Sequence, residues 1–414
     1  MRDRFSHFLA VLSDRLQLDV RYFLQGGLWL SLPFLANYLL GMFRSVVLAR
    51  LTGQVTYGQF GFVNDVAGTL SVLTLPGVNT ALTETVVRGN FGSIVDAARA
   101  RARWGLLSSL AIVGVWLYFL YRGQSDLVVA LVVISAFQPL ISAFQVVVAY
   151  YGGRKRFDLV SLIRVGIMAF GTLALLLALW LQQGVVWLIV ANSGVQLLFY
   201  LAFYQHVARH TRAAPRDPGM VAYGRALTWA NAISSAAFYL DGVVLGFSAG
   251  FIDVAVYNIA SILPESIKGL MRMLTPLAMP KIAEHPDKQV YTRRTRQYLL
   301  YLLAFNLVVV VLAILAIPFV VRLLYGERYA ASAQYAQLLM LSLAAGAPSS
   351  FFTAALQARK QTRAIYWFNL IYGVLQVSTL IIFVPLWGIL GIVISRIVTR
   401  WGATLYQWYA VTKI

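Results

Sequence analysis

The chain has 414 residues, 60% of them hydrophobic, with a mean hydropathy of +0.73 and a formal net charge of +19. Apolar residues make up about half of a soluble domain, so this composition excludes a soluble globular protein and indicates an integral membrane protein. The sequence contains no cysteine, which excludes disulfides and thiol-ligated metals.

Windows of about 20 apolar residues recur along the whole chain, as helices that cross a bilayer require. They predict an all-α integral membrane protein with about 12 transmembrane helices in two pseudo-symmetric six-helix bundles. The predicted spans are 27–49, 58–83, 104–121, 127–150, 158–181, 185–207, 223–247, 253–280, 298–321, 330–356, 364–385 and 388–410.

The basic residues are divided unequally between the two sides of these spans. Of the 34 Lys and Arg residues, most fall in alternate connections, and the turns of the other side hold only Arg50, Arg122, Arg322 and Arg328. Lys and Arg are enriched in cytoplasmic loops, so both termini are predicted to be cytoplasmic. The same distribution accounts for the net charge without a nucleic-acid partner.

Four segments are predicted from this pattern. Residues 1–26 alternate apolar and basic positions at helical spacing, which favours an interfacial helix on the cytoplasmic side, although a polar tail is the simpler alternative. Residues 27–207 form an N-lobe and 223–414 a C-lobe, each with six spans. The polar stretch 208–222, with Pro215 and Pro218, links them.

The two lobes share an internal repeat. An offset of 200 places Tyr57 on Tyr257 and Asp65 on Glu265, and further matches follow in order. Because each half has an even number of spans, both halves have the same orientation. Parallel repeats of this kind place the substrate between two lobes that rock in alternating access.

Charged residues lie deep within several spans. Glu265, Lys268 and Arg272 share one helix face, since their spacing is i, i+3 and i+7. Arg396 and Arg400 share a face of the last span. A charge at the bilayer centre costs about 2.5–3.5 kcal/mol on insertion scales, so these side chains are predicted to face a cavity or a partner.

Three further deep charges are Arg44, Asp65 and Asp241. Arg44 and Asp65 have the same predicted depth on neighbouring antiparallel helices, which allows an ion pair. The five deep cations exceed the three carboxylates, and this surplus favours an anionic ligand such as phosphate. The carboxylates Asp65, Asp241 and Glu265 have two open interpretations, coupling to an ion gradient or charge balance.

Three stretches carry a resemblance to a known family: LARLTGQVTYGQFGF from Leu48, LDGVVLG with AVYNIASIL and LTPLAMPKIAEH from Leu240, and LLYGERYAASA from Leu323. They resemble the polysaccharide-export branch of the multidrug/oligosaccharidyl-lipid/polysaccharide (MOP) exporter superfamily, and more closely O-antigen flippases of the Wzx type. The resemblance implies a two-lobed exporter that is not an enzyme. Its implied substrate is a polyprenyl-pyrophosphate-linked oligosaccharide.

The same resemblance implies movement of that substrate from the cytoplasmic to the periplasmic leaflet of a bacterial inner membrane, driven by a gradient of H+ or Na+ and without a cofactor. It places the pyrophosphate on Lys268, Arg272, Arg396 and Arg400, with Arg44 as a fifth candidate. A monomer that works beside a polysaccharide polymerase and chain-length machinery is the implied assembly.

Two other functions stay open at this point. A cation or drug antiporter has the same fold, although the surplus of deep cations disfavours a cationic substrate. A membrane glycosyltransferase or polymerase would need a substantial outer loop for its catalytic groups, and the predicted outer turns are short.

Overall fold

The computed structural model describes residues 38–181, 184–211, 213–283, 288–346, 348–349, 352–353, 356 and 361–412, with side chains described except at 270–303, 362–363 and 412. The predicted interfacial helix at 1–26 lies outside these residues. In the first half of the chain the helices are α1 (38–51), α2 (Gln54–Leu70), α3 (Gly77–Val87), α4 (Ser93–Tyr121), α5 (Ser125–Phe144), α6 (Val146–Gly153), α7 (Phe157–Trp180) and α8 (Val185–Thr211).

The second half repeats a plan of long antiparallel helices. Its described helices are α9 (Met220–Ser248), α10 (Phe251–Ala283), α11 (Lys288–Tyr325), α12 (Ala330–Leu343), α13 (Thr362–Trp387) and α14 (Ile389–Thr412). The described residues contain no strand. The prediction of an all-α membrane protein is therefore confirmed.

The connections differ between the two ends of the helices. One end, here named the short-turn end, carries tight turns such as Gly250 with φ of 103° and Gly326 with φ of 81°, a backbone region that favours glycine. The other end, the basic end, carries the Arg-containing connections 88–92, 154–156 and 213–219. This alternation follows the predicted division of charge.

Eight described helical segments are long and apolar enough to cross a membrane, with α5 and α6 together counted as one of them. The pair formed by α2 and α3 makes a ninth if it is one span. The other predicted spans do not meet this requirement of length and hydropathy, for identifiable reasons. Nearly half of the span predicted at 27–49 precedes residue 38, and the span at 330–356 is described only in parts. Helix α10 carries Glu265, Lys268 and Arg272, which lower its hydropathy.

The span predicted at 58–83 is broken. A 3-10 turn, Ser71–Thr74, follows α2, and α3 then leaves at 53°. Between them Leu75 is fully buried with φ of 56° and precedes Pro76, which lacks an N–H and disfavours helical geometry in the residue before it. The break therefore frees backbone carbonyls inside the protein.

Arg101 of α4 satisfies groups at this break. Its side chain is only 3% exposed, and it donates from Nε to the carbonyl oxygen of Thr74 at 3.1 Å and from Nη1 to Asn79 Oδ1 at 2.8 Å. The sequence pattern had placed Arg101 in a basic connection. Instead, the Arg101 side chain is buried and connects α4 by hydrogen bonds to both pieces of the broken span.

The two halves meet mainly through α2, α3, α9 and α10, with α9 packed on α2 and α3, and α10 packed on α2. The approach is close: a Cβ built on Gly242 of α9 would lie 1.9 Å from Asp65 Oδ2, and one built on Gly58 of α2 would lie 1.7 Å from the Phe251 carbonyl oxygen. Glycine is needed at Gly58 because a side chain there would overlap backbone of the other half, whereas a side chain at Gly242 would displace the Asp65 carboxylate.

A second set of contacts joins the halves at the short-turn end. Arg50 donates to the carbonyl oxygens of Leu324 at 2.7 Å and Leu323 at 2.5 Å. Gln54 donates to the carbonyl oxygen of Arg328 at 2.9 Å, and Arg328 donates back to that of Thr52 at 3.3 Å. These bonds, named here the short-turn clasp, hold the halves together at that end.

Candidate functional site

Three adjoining cavities lie among the helices, one between the two halves and two within the second half. The interlobe pocket, about 520 Å³, lies between α1, α2 and α10 and is lined by Arg44, Asp65 and Glu265. The cationic pocket, about 310 Å³, lies among α9, α10, α12, α13 and α14 and is lined by Lys268, Arg396 and Arg400. The aromatic groove, about 330 Å³, lies between α9 and α13.

Shared residues connect these cavities. Phe238 of α9 is 52% exposed and lines both the interlobe pocket and the cationic pocket. Ser234, one turn earlier on α9, and Asn369 of α13 line both the cationic pocket and the aromatic groove. The cationic pocket therefore lies directly beside both of the other cavities.

Arg396 is the centre of the charged network. Its Nε lies 2.6 Å and its Nη2 2.5 Å from Asp241 Oδ2, and its Nη1 lies 2.7 Å from Glu265 Oε1. The Tyr257 hydroxyl also donates to Asp241 Oδ2, and the guanidinium lies 5.8 Å from the centre of the Tyr257 ring. These contacts tie α14 to α9 and α10.

Glu265 receives two further cations. Arg400 Nη2 lies 3.0 Å from Glu265 Oε1, and Lys268 Nζ lies 2.8 Å from Glu265 Oε2. Arg400 also donates from Nη1 to Ser342 Oγ of α12 at 2.9 Å. One carboxylate therefore holds three cations that come from two helices, and all three also line the cationic pocket.

Arg44 and Asp65 do not form the predicted ion pair. Arg44 donates to Asn192 Oδ1 of α8 at 2.8 Å and lies over the Phe60 ring, whereas the Asp65 carboxylate packs against Gly242 of α9. The prediction was wrong because counting residues from a turn gives the depth of a side chain but not its direction around the helix. Both residues nevertheless line the interlobe pocket.

A family model described as "Polysaccharide biosynthesis protein" matches residues 23–279, which is more than half of the chain. The chain belongs to this polysaccharide biosynthesis family. No curated protein sequence matches it.

Solved structures share the fold at low sequence identity. A lipid II flippase MurJ in an inward closed conformation matches with a TM-score of 0.68 and 14% identity, over 92% of this chain and 87% of the other. An inward-facing multidrug resistance MATE family transporter of the MOP superfamily matches with a TM-score of 0.68 and 16% identity, over 91% of this chain and 95% of the other. The predicted MOP exporter fold is therefore confirmed for this polysaccharide biosynthesis family member.

An outward-facing MATE family transporter matches with a TM-score of 0.55 and 15% identity, over 92% of this chain and 93% of the other. These solved structures are those of a flippase and of transporters.

The structure brings most of the predicted site residues together. Lys268, Arg396 and Arg400 line one pocket, and Asp241 and Glu265 bind them. Arg272 lies on α10, but its side chain is outside the described residues. Among the described residues of this network there are three cations and two carboxylates, so the predicted surplus of positive charge is reduced to one.

Three side chains that the sequence reasoning did not place in the site are Tyr257, Ser342 and Asn192. Tyr257 could have been found, because the repeat pairs it with Tyr57 and both side chains are buried. Asn192 is an amide within an apolar span, which is a weaker signal. Ser342 carries no signal in the sequence, since serine is common within membrane helices.

Proposed function

We propose that this protein flips a polyprenyl-pyrophosphate-linked oligosaccharide from the cytoplasmic to the periplasmic leaflet of a bacterial inner membrane by alternating access. The observation that carries the proposal is the convergence of Lys268, Arg396 and Arg400 on one pocket with a surplus positive charge. Membership of a polysaccharide biosynthesis family supplies the class of substrate.

The chemistry of the pocket suits a pyrophosphate. Two guanidinium groups, each with several donors in a plane, and one ammonium group can bind phosphate oxygens with charge-assisted hydrogen bonds. Arg396 and Arg400 are 10% and 11% exposed, so their charges act in an environment where screening by water is limited.

Glu265 holds the donors that the pyrophosphate would use. Its carboxylate forms ion pairs with all three cations of the pocket, which are Lys268, Arg396 and Arg400. A pyrophosphate that enters would compete with Glu265 for these donors, while Arg396 keeps its bonds to Asp241. In the proposed cycle Glu265 holds the cations between turnovers and yields them to the substrate.

The interlobe pocket and the short-turn clasp supply the rest of the cycle. Substrate enters while the halves are joined at the short-turn end. Because positive charge is concentrated in the connections of the opposite, basic end, the short-turn end is predicted to be periplasmic. Release then requires the clasp to open and the halves to separate there, as in other two-lobed transporters. Both chain termini are placed in the cytoplasm by the same charge pattern.

The energy source is proposed to be a gradient of H+ or Na+. Asp65 suits this role better than Asp241 or Glu265, because Asp65 faces the interlobe pocket and forms no ion pair with any described residue. Asp241 and Glu265 are occupied by Arg396, Arg400 and Lys268, which favours charge balance for these two. An O-antigen unit is the proposed cargo, handled by a monomer beside a polymerase and chain-length machinery.

The test is flipping of a fluorescent polyprenyl-pyrophosphate oligosaccharide in proteoliposomes. The Arg400→Ala variant should lose most of the flipping of the parent, while Arg103→Ala, an exposed arginine of α4, should retain it. Equal flipping by the Arg400→Ala variant and the parent, at equal protein content, would overturn the proposed role of the cationic pocket.

A cation or drug antiporter is the second candidate, and the similarity to a multidrug resistance MATE family transporter favours it. In that case Asp65 in the interlobe pocket would bind the cationic drug. Efflux of ethidium that depends on Asp65 and is unaffected by Arg400→Ala would support this alternative over the flippase.

A further inference from the structure

We infer that the aromatic groove is a binding site for the sugar that is attached directly to the pyrophosphate. The inference depends on the proposed function, since the sugar is placed by the pyrophosphate in the neighbouring cationic pocket. It goes further by assigning four residues, Trp229, Asn231, Tyr366 and Asn369, to recognition of the glycan.

The first observation is the chemistry of the groove. Trp229 and Asn231 of α9 face Tyr366 and Asn369 of α13 across a cavity of about 330 Å³. Aromatic rings offer flat apolar faces with a polar edge, and a carboxamide offers both a donor and an acceptor. A pyranose has the complementary surface, with C–H bonds on its faces and hydroxyls around its edge.

The second observation is that these polar groups are available. Asn369 is exposed and makes no hydrogen bond with any described residue, and the same is true of the indole N–H of Trp229. Asn231 donates from Nδ2 to the Leu227 carbonyl oxygen at 2.9 Å, which leaves its Oδ1 as a free acceptor within the described structure. Unpaired amides at membrane depth are costly unless water or a ligand satisfies them.

The third observation is the position of the groove. Ser234 and Asn369 line both the groove and the cationic pocket, so the two cavities are immediate neighbours. Trp229 lies nine residues from the start of α9 at the basic end, and Asn369 seven residues from the start of α13 at the same end. A lipid-linked sugar that approaches from the basic end would place its pyrophosphate in the pocket and its first sugar ring in the groove.

The packing of α9 supports a fixed geometry for this site. Trp229 makes an edge contact with Trp104 of α4, with ring centroids 6.4 Å apart, and a Cβ built on Gly373 of α13 would lie 2.6 Å from Ile233. The indole is therefore held by the first half, and α9 and α13 converge just beyond the groove. A rearrangement of the halves would move Trp104 relative to Trp229 and so couple release of the sugar to opening.

The experiment measures binding to the purified full-length protein in nanodiscs with two probes. One probe is undecaprenyl pyrophosphate, and the other is the same lipid with a single N-acetylglucosamine on the pyrophosphate. The variants Trp229→Leu and Asn369→Ala should weaken binding of the sugar-bearing probe about ten-fold and change binding of the sugar-free probe less than two-fold. Trp187→Leu is the matched control, because Trp187 is 53% exposed and lies outside the groove.

Each other outcome is decisive. If both probes lose the same affinity in the two variants, the groove holds the lipid or only supports the fold, and the sugar site is overturned. If neither probe loses affinity, the aromatic residues are interfacial anchors and the inference fails. If the parent binds the sugar-bearing probe no more tightly than the sugar-free one, the inference also fails, while the pyrophosphate site stands. If the parent binds neither probe, both the inference and the proposed function fail.

Discussion

Arg396 and Asp241 form the most buried ion pair of the described structure, with Arg396 Nε 2.6 Å from Asp241 Oδ2 and the two side chains 10% and 2% exposed. The pair joins α14 to α9, and Tyr257 of α10 donates to the same carboxylate oxygen. Three helices of the second half are therefore fixed to one another at a single point, next to the cationic pocket.

Breaking this pair should destabilise the protein strongly. Removal of one partner leaves an uncompensated buried charge, at a cost of about 3–5 kcal/mol, so Arg396→Gln and Asp241→Asn should each lower the midpoint of thermal unfolding in detergent. The double variant leaves no isolated charge at this point and should be less destabilised than the sum of the two single variants.

The control for this cycle is the exposed pair Arg156 with Asp158, whose side chains are 56% and 60% exposed. Arg156→Gln should leave the midpoint unchanged, because solvent screens such pairs. Strictly additive effects of the Arg396 and Asp241 substitutions would show that the pair contributes nothing beyond its separate members.

Replacement of Glu265 by glutamine should strengthen anion binding. The substitution removes the carboxylate that holds Lys268 and Arg400, while Arg396 keeps Asp241, so the pocket gains positive charge without losing its central pair. Binding of undecaprenyl pyrophosphate should become about ten-fold tighter or more, and flipping should become slower because release is slower.

Glu327→Gln is the control, since Glu327 is 77% exposed at the short-turn end. It should change neither binding nor flipping. Weaker anion binding by the Glu265→Gln variant would mean that Glu265 positions the cations and does not compete with the ligand.

The sequence predicted the fold better than it predicted the contacts. Hydropathy and the division of charge determine which segments cross the membrane and in which direction. The predicted span 223–247 therefore agrees closely with α9, and the turn at Gly250 follows it directly. The break between α2 and α3 was not predicted, since 58–83 reads as one continuous apolar span. Its cause is tertiary, since Arg101 from another helix satisfies the Thr74 carbonyl.

For the site, spacing on one helix was informative and pairing between helices was not. Glu265 and Lys268 share a face, as do Arg396 and Arg400, and the structure brings both faces to one pocket. Whether Arg44 meets Asp65 or Asn192 depends on the rotation of α1 against α8, which no local pattern in the sequence specifies.

Loss of the short-turn clasp should open that end of the protein. The chain has no native cysteine, so a single cysteine introduced at Thr52, which is 7% exposed, reports access directly. Thr52→Cys alone should react slowly with a membrane-impermeant maleimide. The same variant with Arg50→Ala and Gln54→Ala should react several-fold faster, because the bonds to Leu323, Leu324 and Arg328 are lost.

Gln124→Cys, in an exposed turn at the same end, should react rapidly with or without the clasp and so controls for general reactivity. An unchanged rate at Thr52→Cys after removal of the clasp would show that packing of α2 against α9 and α10 holds the halves together without it.

Replacement of Arg101 should destabilise the protein at the broken span, whereas replacement of the neighbouring Arg103 should not. Arg101→Leu leaves the Thr74 carbonyl oxygen and Asn79 Oδ1 without their donor in a buried place, and an unsatisfied buried polar group costs about 1–3 kcal/mol. Arg101→Lys should recover little of the stability lost in Arg101→Leu. One ammonium group cannot reproduce the several fixed donors of a guanidinium that contacts both pieces of the break.

Arg103 offers the matched comparison, since it lies two residues further on α4 and is exposed. Arg103→Leu removes the same charge from the same end of the same helix, so any effect on membrane orientation is shared by the two variants. Thermal unfolding in detergent should therefore separate them, with a lower midpoint for Arg101→Leu only. Equal midpoints would mean that the bend between α2 and α3 is maintained by Leu75 and Pro76 alone, and that the hydrogen bonds of Arg101 contribute no net stability.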